Sequence, residues 1–111
     1  MELQTLYRPV GSNELAWIIR SGWTRFPARL IKEPVFYPII DDAFIAQKPV
    51  QKLRHADRAA CIIRFHVIKD YLSKHAVNHV DADMHTEVHL SPDAIDELNN
   101  NIIGLIEITG I

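Results

Sequence analysis

Cysteine is nearly absent. Cys61 is the only one in 111 residues, so no internal disulfide can form. It lies in the apolar run Ala59–Ile63 and reads as a small core residue rather than a nucleophile. Such sparing use suits a reducing compartment. No apolar stretch approaches the roughly 20 residues that cross a bilayer. The first twenty residues lack a basic segment followed by an apolar block, so no signal peptide and a cytoplasmic location are expected. A Walker loop, a GxGxxG turn and the helical HExxH zinc motif are all missing, which removes the usual phosphate cradles and the zincin metal site. There is no internal repeat and no low-complexity segment. A basic excess is missing too. With 12 Lys and Arg against 14 Asp and Glu the formal charge is −2, which excludes a general nucleic-acid binder.

What is present is ordinary for a folded chain: 48% apolar and 23% charged residues, at a length that fits one domain, 1–111. The charge is unevenly spread. All twelve cations lie at or before Lys74 with seven acids, a formal +5, and the remaining seven acids follow with no Lys or Arg. Either the two parts attract one another, or the basic part meets an anionic ligand and the acidic part carries a working carboxylate.

Periodicity gives an α+β order. Thr5–Val10 reads as a first strand closed by Pro9 and Gly11. Ser12 or Asn13 caps a helix over Glu14–Ser21 with Leu15, Ile18 and Ile19 on one face, and Gly22 is placed as its C′ residue. Trp23–Pro34 is a loop. Val35–Ile40 is a short strand, followed by a helical turn over Ala43–Gln47 that Pro49 interrupts. Ala59–Ile68 is the best buried strand, with Ile63, Phe65 and Val67 on one face and Ile62, Arg64 and His66 on the other. Lys69–Lys74 forms one helical turn, and Val77–Val80 and Thr86–Leu90 are short strands. Ser91 caps a helix with Pro92 at its first position and a stripe of Ile95, Leu98 and Ile102. Ile103–Thr109 is the last strand. Together these predict a curved, mostly antiparallel sheet with two to three helices packed on it.

The segment HTEVHLSPDAIDELN, residues 85–99, holds the main chemical candidates. Alternation puts Val88 and Leu90 on one strand face and His85, Glu87 and His89 on the other. Glu87 is then either an exposed residue on an open face or an acid, base or electrostatic stabiliser. His85 and His89 stand about 13 Å apart in extended chain, so the triplet is not expected to hold one metal ion. The other histidines show no ligand spacing. Arg8 either pairs with an acid or clamps an anion bidentately. Arg25, Arg29 and Lys32, interleaved with Trp23 and Phe26, either grip a nucleotide or belong to a loop packed back on the core.

The runs LYRPVGSNELAWIIRSGWTRFPARL, EPVFYPII, RFHV and TEVHLSPDAIDELNNNIIGLIEI resemble the small bacterial proteins often labelled "ADP-ribosylation/crystallin J1". The shared pattern is a YRPVG start, a G(W/Y)..FP.RL loop, a PxFYP strand and an E.(W/H).P ending that runs on to N...G.IE, and it covers nearly the whole chain. The layout is similar to a minimal ADP-ribosyltransferase fold rather than to the larger all-helical ADP-ribosylglycohydrolases. The resemblance implies NAD as cofactor. It gives Glu87 the ribose 2′-OH and the developing oxocarbenium charge, Arg8 a phosphate, Tyr37 the nicotinamide ring and His85 the acceptor. Arg64 or the loop with Arg25 and Arg29 would steady the diphosphate. The chain is shorter than such transferases and lacks their Ser-Thr-Ser strand motif. A non-catalytic, antitoxin-like interaction module on the same fold is the alternative, joined to a protein partner or a second copy through the loop near Trp23 and Phe26.

Overall fold

The computed structural model describes residues 1–27, 61–80 and 86–110. The expected strand Val35–Ile40 and the turn Ala43–Gln47 lie outside them. Within the described residues the chain is a small α+β fold: β1 (Leu3–Val10), α1 (Ser12–Arg20), β2 (Cys61–Ile68), α2 (Lys69–His75), β3 (Val77–Val80), β4 (Thr86–His89), a 3₁₀ turn over Pro92–Ala94, α3 (Ile95–Asn99) and β5 (Glu107–Gly110). β1, β2 and β5 form an antiparallel sheet in the order β1-β2-β5, and β3 pairs with β4 in an antiparallel ladder. Pro9 in β1 has no N–H to give and sits, among the described residues, in an edge strand, where that loss is tolerated.

Alternation sets the core. Leu6, Val10, Cys61, Ile63, Phe65 and Val67 line one face of the β1–β2 ladder and are all nearly inaccessible. Ile18 from α1, Leu72 from α2, Val88 and Leu90 from the β4 segment, Ile95 and Leu98 from α3, and Ile106 close over them. Cys61 is part of this cluster, and burial pushes its thiol pKa up, which makes it a poor nucleophile.

α1 differs from its expected face. Ile18 is fully buried and Leu15 packs on the core, but Ile19 is 48% exposed. At 100° per residue, Glu14, Leu15 and Ile18 form one sector and Ile19 falls outside it. The sector turns towards Glu14 because that carboxylate is bound by Arg8. The helix ends as the sequence foretells. Gly22, at φ +77°, donates to the Ile19 carbonyl, and the Trp23 N–H reaches back to Ile18 O, satisfying two terminal carbonyls.

The C-terminal segment follows β2 for longer than β5 alone. Asn101 O accepts from Ile68, Ile102 bridges Val67, and Ile103 N–H donates to His66 O, before the chain rejoins at Arg64–Glu107. Gly104, at φ +78°, opens the departure between these two stretches, so the regular strand starts at Glu107 rather than Ile103. At Ser91 the expected helix begins as a 3₁₀ turn. The Ser91 hydroxyl accepts from Asp93 N–H at 3.3 Å and its carbonyl accepts from Ala94 N–H at 2.9 Å.

Candidate functional site

Glu87 lies in β4. In the same segment Val88 and Leu90 are buried and His89 is half-buried. The register adds a residue that spacing along the chain could not find: His79 of β3 pairs directly with Glu87, while Val77 pairs with His89. His85 lies outside the described residues, as do Tyr37 and Arg29.

Arg8 is 5% exposed although it carries a full charge. It occupies the core face of β1 between Leu6 and Val10, opposite Ile63. Its Nε and Nη2 donate to Oε2 and Oε1 of Glu14, each at 2.9 Å, a bidentate pair in which both side chains are largely buried. One edge of the guanidinium is thus held in place, and its charge is matched by α1.

Arg64 lies on the opposite face of the sheet, in register with Tyr7 on β1 and Glu107 on β5. Its Nη2 stands 3.5 Å from Glu107 Oε1, and its Nε is buried without a hydrogen-bond partner. One register step away on this face, Thr5 Oγ1 lies 2.9 Å from His66 Nδ1. Arg8 and Arg64 therefore do not converge on one cleft. Arg25 is exposed. Its backbone N–H, with that of Thr24, donates to the Ser21 hydroxyl, so the turn after α1 is closed by local hydrogen bonds.

The aromatic loop packs inwards. Phe26 is 1% exposed and meets Phe65 edge-on at 4.7 Å. Its backbone is held by buried Asn99, whose Oδ1 accepts from Phe26 N–H at 2.8 Å while its Nδ2 donates to Phe26 O at 3.0 Å. Ile106 N–H donates to Trp23 O at 2.7 Å. Asn99 thus ties α3 to Phe26, and Ile106 ties the C-terminal segment to Trp23. Asn99 and Glu14 escaped the sequence reading because a polar residue inside an amphipathic helix gives no sign of which backbone or strand it will face.

A second polar cluster joins α2 to α3. Tyr71 stacks on His75 at 4.8 Å, and His75 Nε2 lies 3.8 Å from Glu97 Oε1. The Tyr71 hydroxyl is buried without a partner, and burial, with the nearby Glu97 carboxylate, raises its pKa. An open cleft of about 470 Å³ runs between Met1, Glu2, Ile68, Lys69, Asp70 and Ser73, and none of the expected site residues lines it. Among the described residues no helix is long and apolar enough to cross a membrane.

No protein family, curated protein or solved structure matches this chain.

Proposed function

We propose that this chain is a small ADP-ribosyltransferase-like protein that binds NAD and uses Glu87 as its working carboxylate. The observation that carries the reading is Arg8: a buried cation on the first strand, held bidentately by Glu14, while Glu87 lies on a later strand, β4. In this chemistry the bond from ribose to nicotinamide breaks through an oxocarbenium-like state. A carboxylate at the 2′-OH stabilises the growing positive charge, and a guanidinium fixes a phosphate. The resemblance gives Tyr37 to nicotinamide and His85 to the acceptor, with Arg25, Arg29 and Arg64 as diphosphate contacts. Arg64 then serves only a ligand that reaches around the sheet edge, since it does not share a face with Arg8.

The test is thermal unfolding with and without millimolar NAD. A ligand at about 100 times its dissociation constant adds roughly 2.7 kcal/mol, several degrees for a domain this size. The reading expects a shift in the wild type, its retention in Glu87→Gln, and loss of NAD cleavage in that variant. Equal loss of binding and cleavage removes the assigned role of Glu87.

A second reading, a non-catalytic interaction module, is favoured by the same ion pair seen from the other side. Glu14 already neutralises Arg8, and Ile103, Leu105 and Ile108 leave apolar surface exposed along the C-terminal segment. Phe26 is committed to the core, so a partner would engage that segment rather than the aromatic loop. A chain that shows no NAD shift and runs as a stable dimer or copurifies with one partner moves the assignment here.

A further inference from the structure

The outer face of the β1–β2 ladder brings together hydrogen-bonding residues from distant parts of the sequence. Thr5 pairs with His66 and Tyr7 with Arg64, at successive positions on the side of the sheet away from the core cluster. Directly paired positions have Cβ atoms about 5 Å apart, and positions two residues along a strand about 7 Å apart. An oxyanion the size of phosphate, accepting at about 2.8 Å from each side, bridges such a gap.

The donors on this face are loosely engaged. A guanidinium carries five N–H donors. Arg64 Nη2 stands 3.5 Å from Glu107 Oε1, long for a charge-assisted pair, and its Nε is buried without a hydrogen-bond partner. The Arg64 side chain is 38% exposed and Glu107 is more exposed still, so solvent reaches this pair. The Arg8–Glu14 pair, by contrast, closes at 2.9 Å with both side chains largely buried. Thr5 Oγ1, 2.9 Å from His66 Nδ1, supplies the second element. With the Thr5 hydroxyl donating to Nδ1, the neutral ring carries its proton on Nε2 and can donate to an anion. A protonated ring adds a second positive charge.

We propose that Arg64, His66 and Thr5 form a site for a phosphate-class oxyanion on the outer face of the sheet, with Glu107 as the resident group that the anion displaces. Arg64 also stands among the diphosphate contacts proposed for NAD, but this site does not rest on that reading, since it uses neither Arg8 nor Glu87.

The test is titration of the full chain at low salt with inorganic phosphate, followed by ³¹P NMR and calorimetry, and repeated with AMP. One phosphate per chain is expected. Affinity should fall at least about tenfold in Arg64→Gln and severalfold in Thr5→Val, and rise in Glu107→Gln. It should stay unchanged in Arg20→Ala and Lys74→Ala, which remove exposed cations elsewhere. Thr5→Val keeps the side-chain shape and Glu107→Gln keeps Arg64, so these two decide the matter if Arg64→Gln fails to fold. Equal binding of phosphate and AMP assigns the site to free phosphate, and tighter binding of AMP to the phosphoryl group of a nucleotide; both uphold it. Absence of binding by either probe, or binding that survives Arg64→Gln while Glu107→Gln brings no gain, overturns it. An NAD-induced thermal shift in a chain that binds neither probe removes this site alone, and phosphate binding without an NAD shift removes the NAD reading alone.

Discussion

Arg8 shows how one residue can serve two readings. On the core face of β1 its charge is tolerable because Glu14 returns two hydrogen bonds. Removing one partner strands the other charge where water is scarce, so Arg8→Ala should lose about 3 kcal/mol in urea unfolding. The double change Arg8→Met with Glu14→Leu should lose much less, because no orphan charge remains. The double variant is therefore the proper one for asking whether Arg8 binds NAD. Asn99 offers a second contrast. Asn99→Leu leaves two buried backbone groups of Phe26 unpaired and should lose roughly 2 kcal/mol or more, and Asn99→Asp, which sets a buried carboxylate oxygen against the Phe26 carbonyl, should lose at least as much. Alkaline pH tests the buried titratable groups. Cys61 and Tyr71 are neutral when protonated, and burial raises the pKa of both. The folded state then holds these protons to higher pH than the unfolded chain. Their stabilising effect is complete below the ordinary thiol and phenol values, about pH 8.5 and 10, and is lost as pH rises through the raised values. The urea midpoint should fall above about pH 9. Tyr71→Phe should flatten the phenol part of that fall at little expense in stability, since its hydroxyl bonds to nothing. Of these residues the sequence marked Arg8 and Cys61 only. The roles of Asn99 and Glu14 depend on partners that no local pattern reveals.

At the scale of elements, local signals fared best where the chain must break. Gly22 ends α1 with a positive φ, and a Cβ there meets no atom within 4 Å. Gly22→Ala should therefore lose about 1 kcal/mol from conformation alone, with no steric part, measurable as a small fall in the urea midpoint. Trp23, next in line, also has a positive φ of 65°, rare for a bulky residue. It is held there by hydrogen bonds to Ile18 and from Ile106. The faces of β2 were legible because its inner residues, Ile63, Phe65 and Val67, recur with a period of two. The face of α1 was only partly so, because three apolar residues predicted a stripe that the Arg8–Glu14 pair then rotated past Ile19. The last strand was drawn too long, since Gly104 lets the chain leave β2 and return.

For the molecule as a whole, the charge split sets an expectation at long range. A basic part of +5 followed along the chain by an acidic remainder makes stability and any anion binding sensitive to ionic strength. An NAD-induced thermal shift should shrink on going from low salt to about 0.5 M NaCl if phosphate contacts carry it, and stay constant if ring stacking does. The sequence by itself determined the α+β class, the inner face of β2, the end of α1 and the burial of Cys61. Each follows from periodicity or backbone freedom within a few residues. Only the tertiary structure decided that Arg8 meets Glu14, that Arg64 lies on the opposite face, that Asn99 holds Phe26 and that His79 stands across from Glu87. Those facts depend on strand register and helix rotation, which are fixed by the packing of residues distant in the chain.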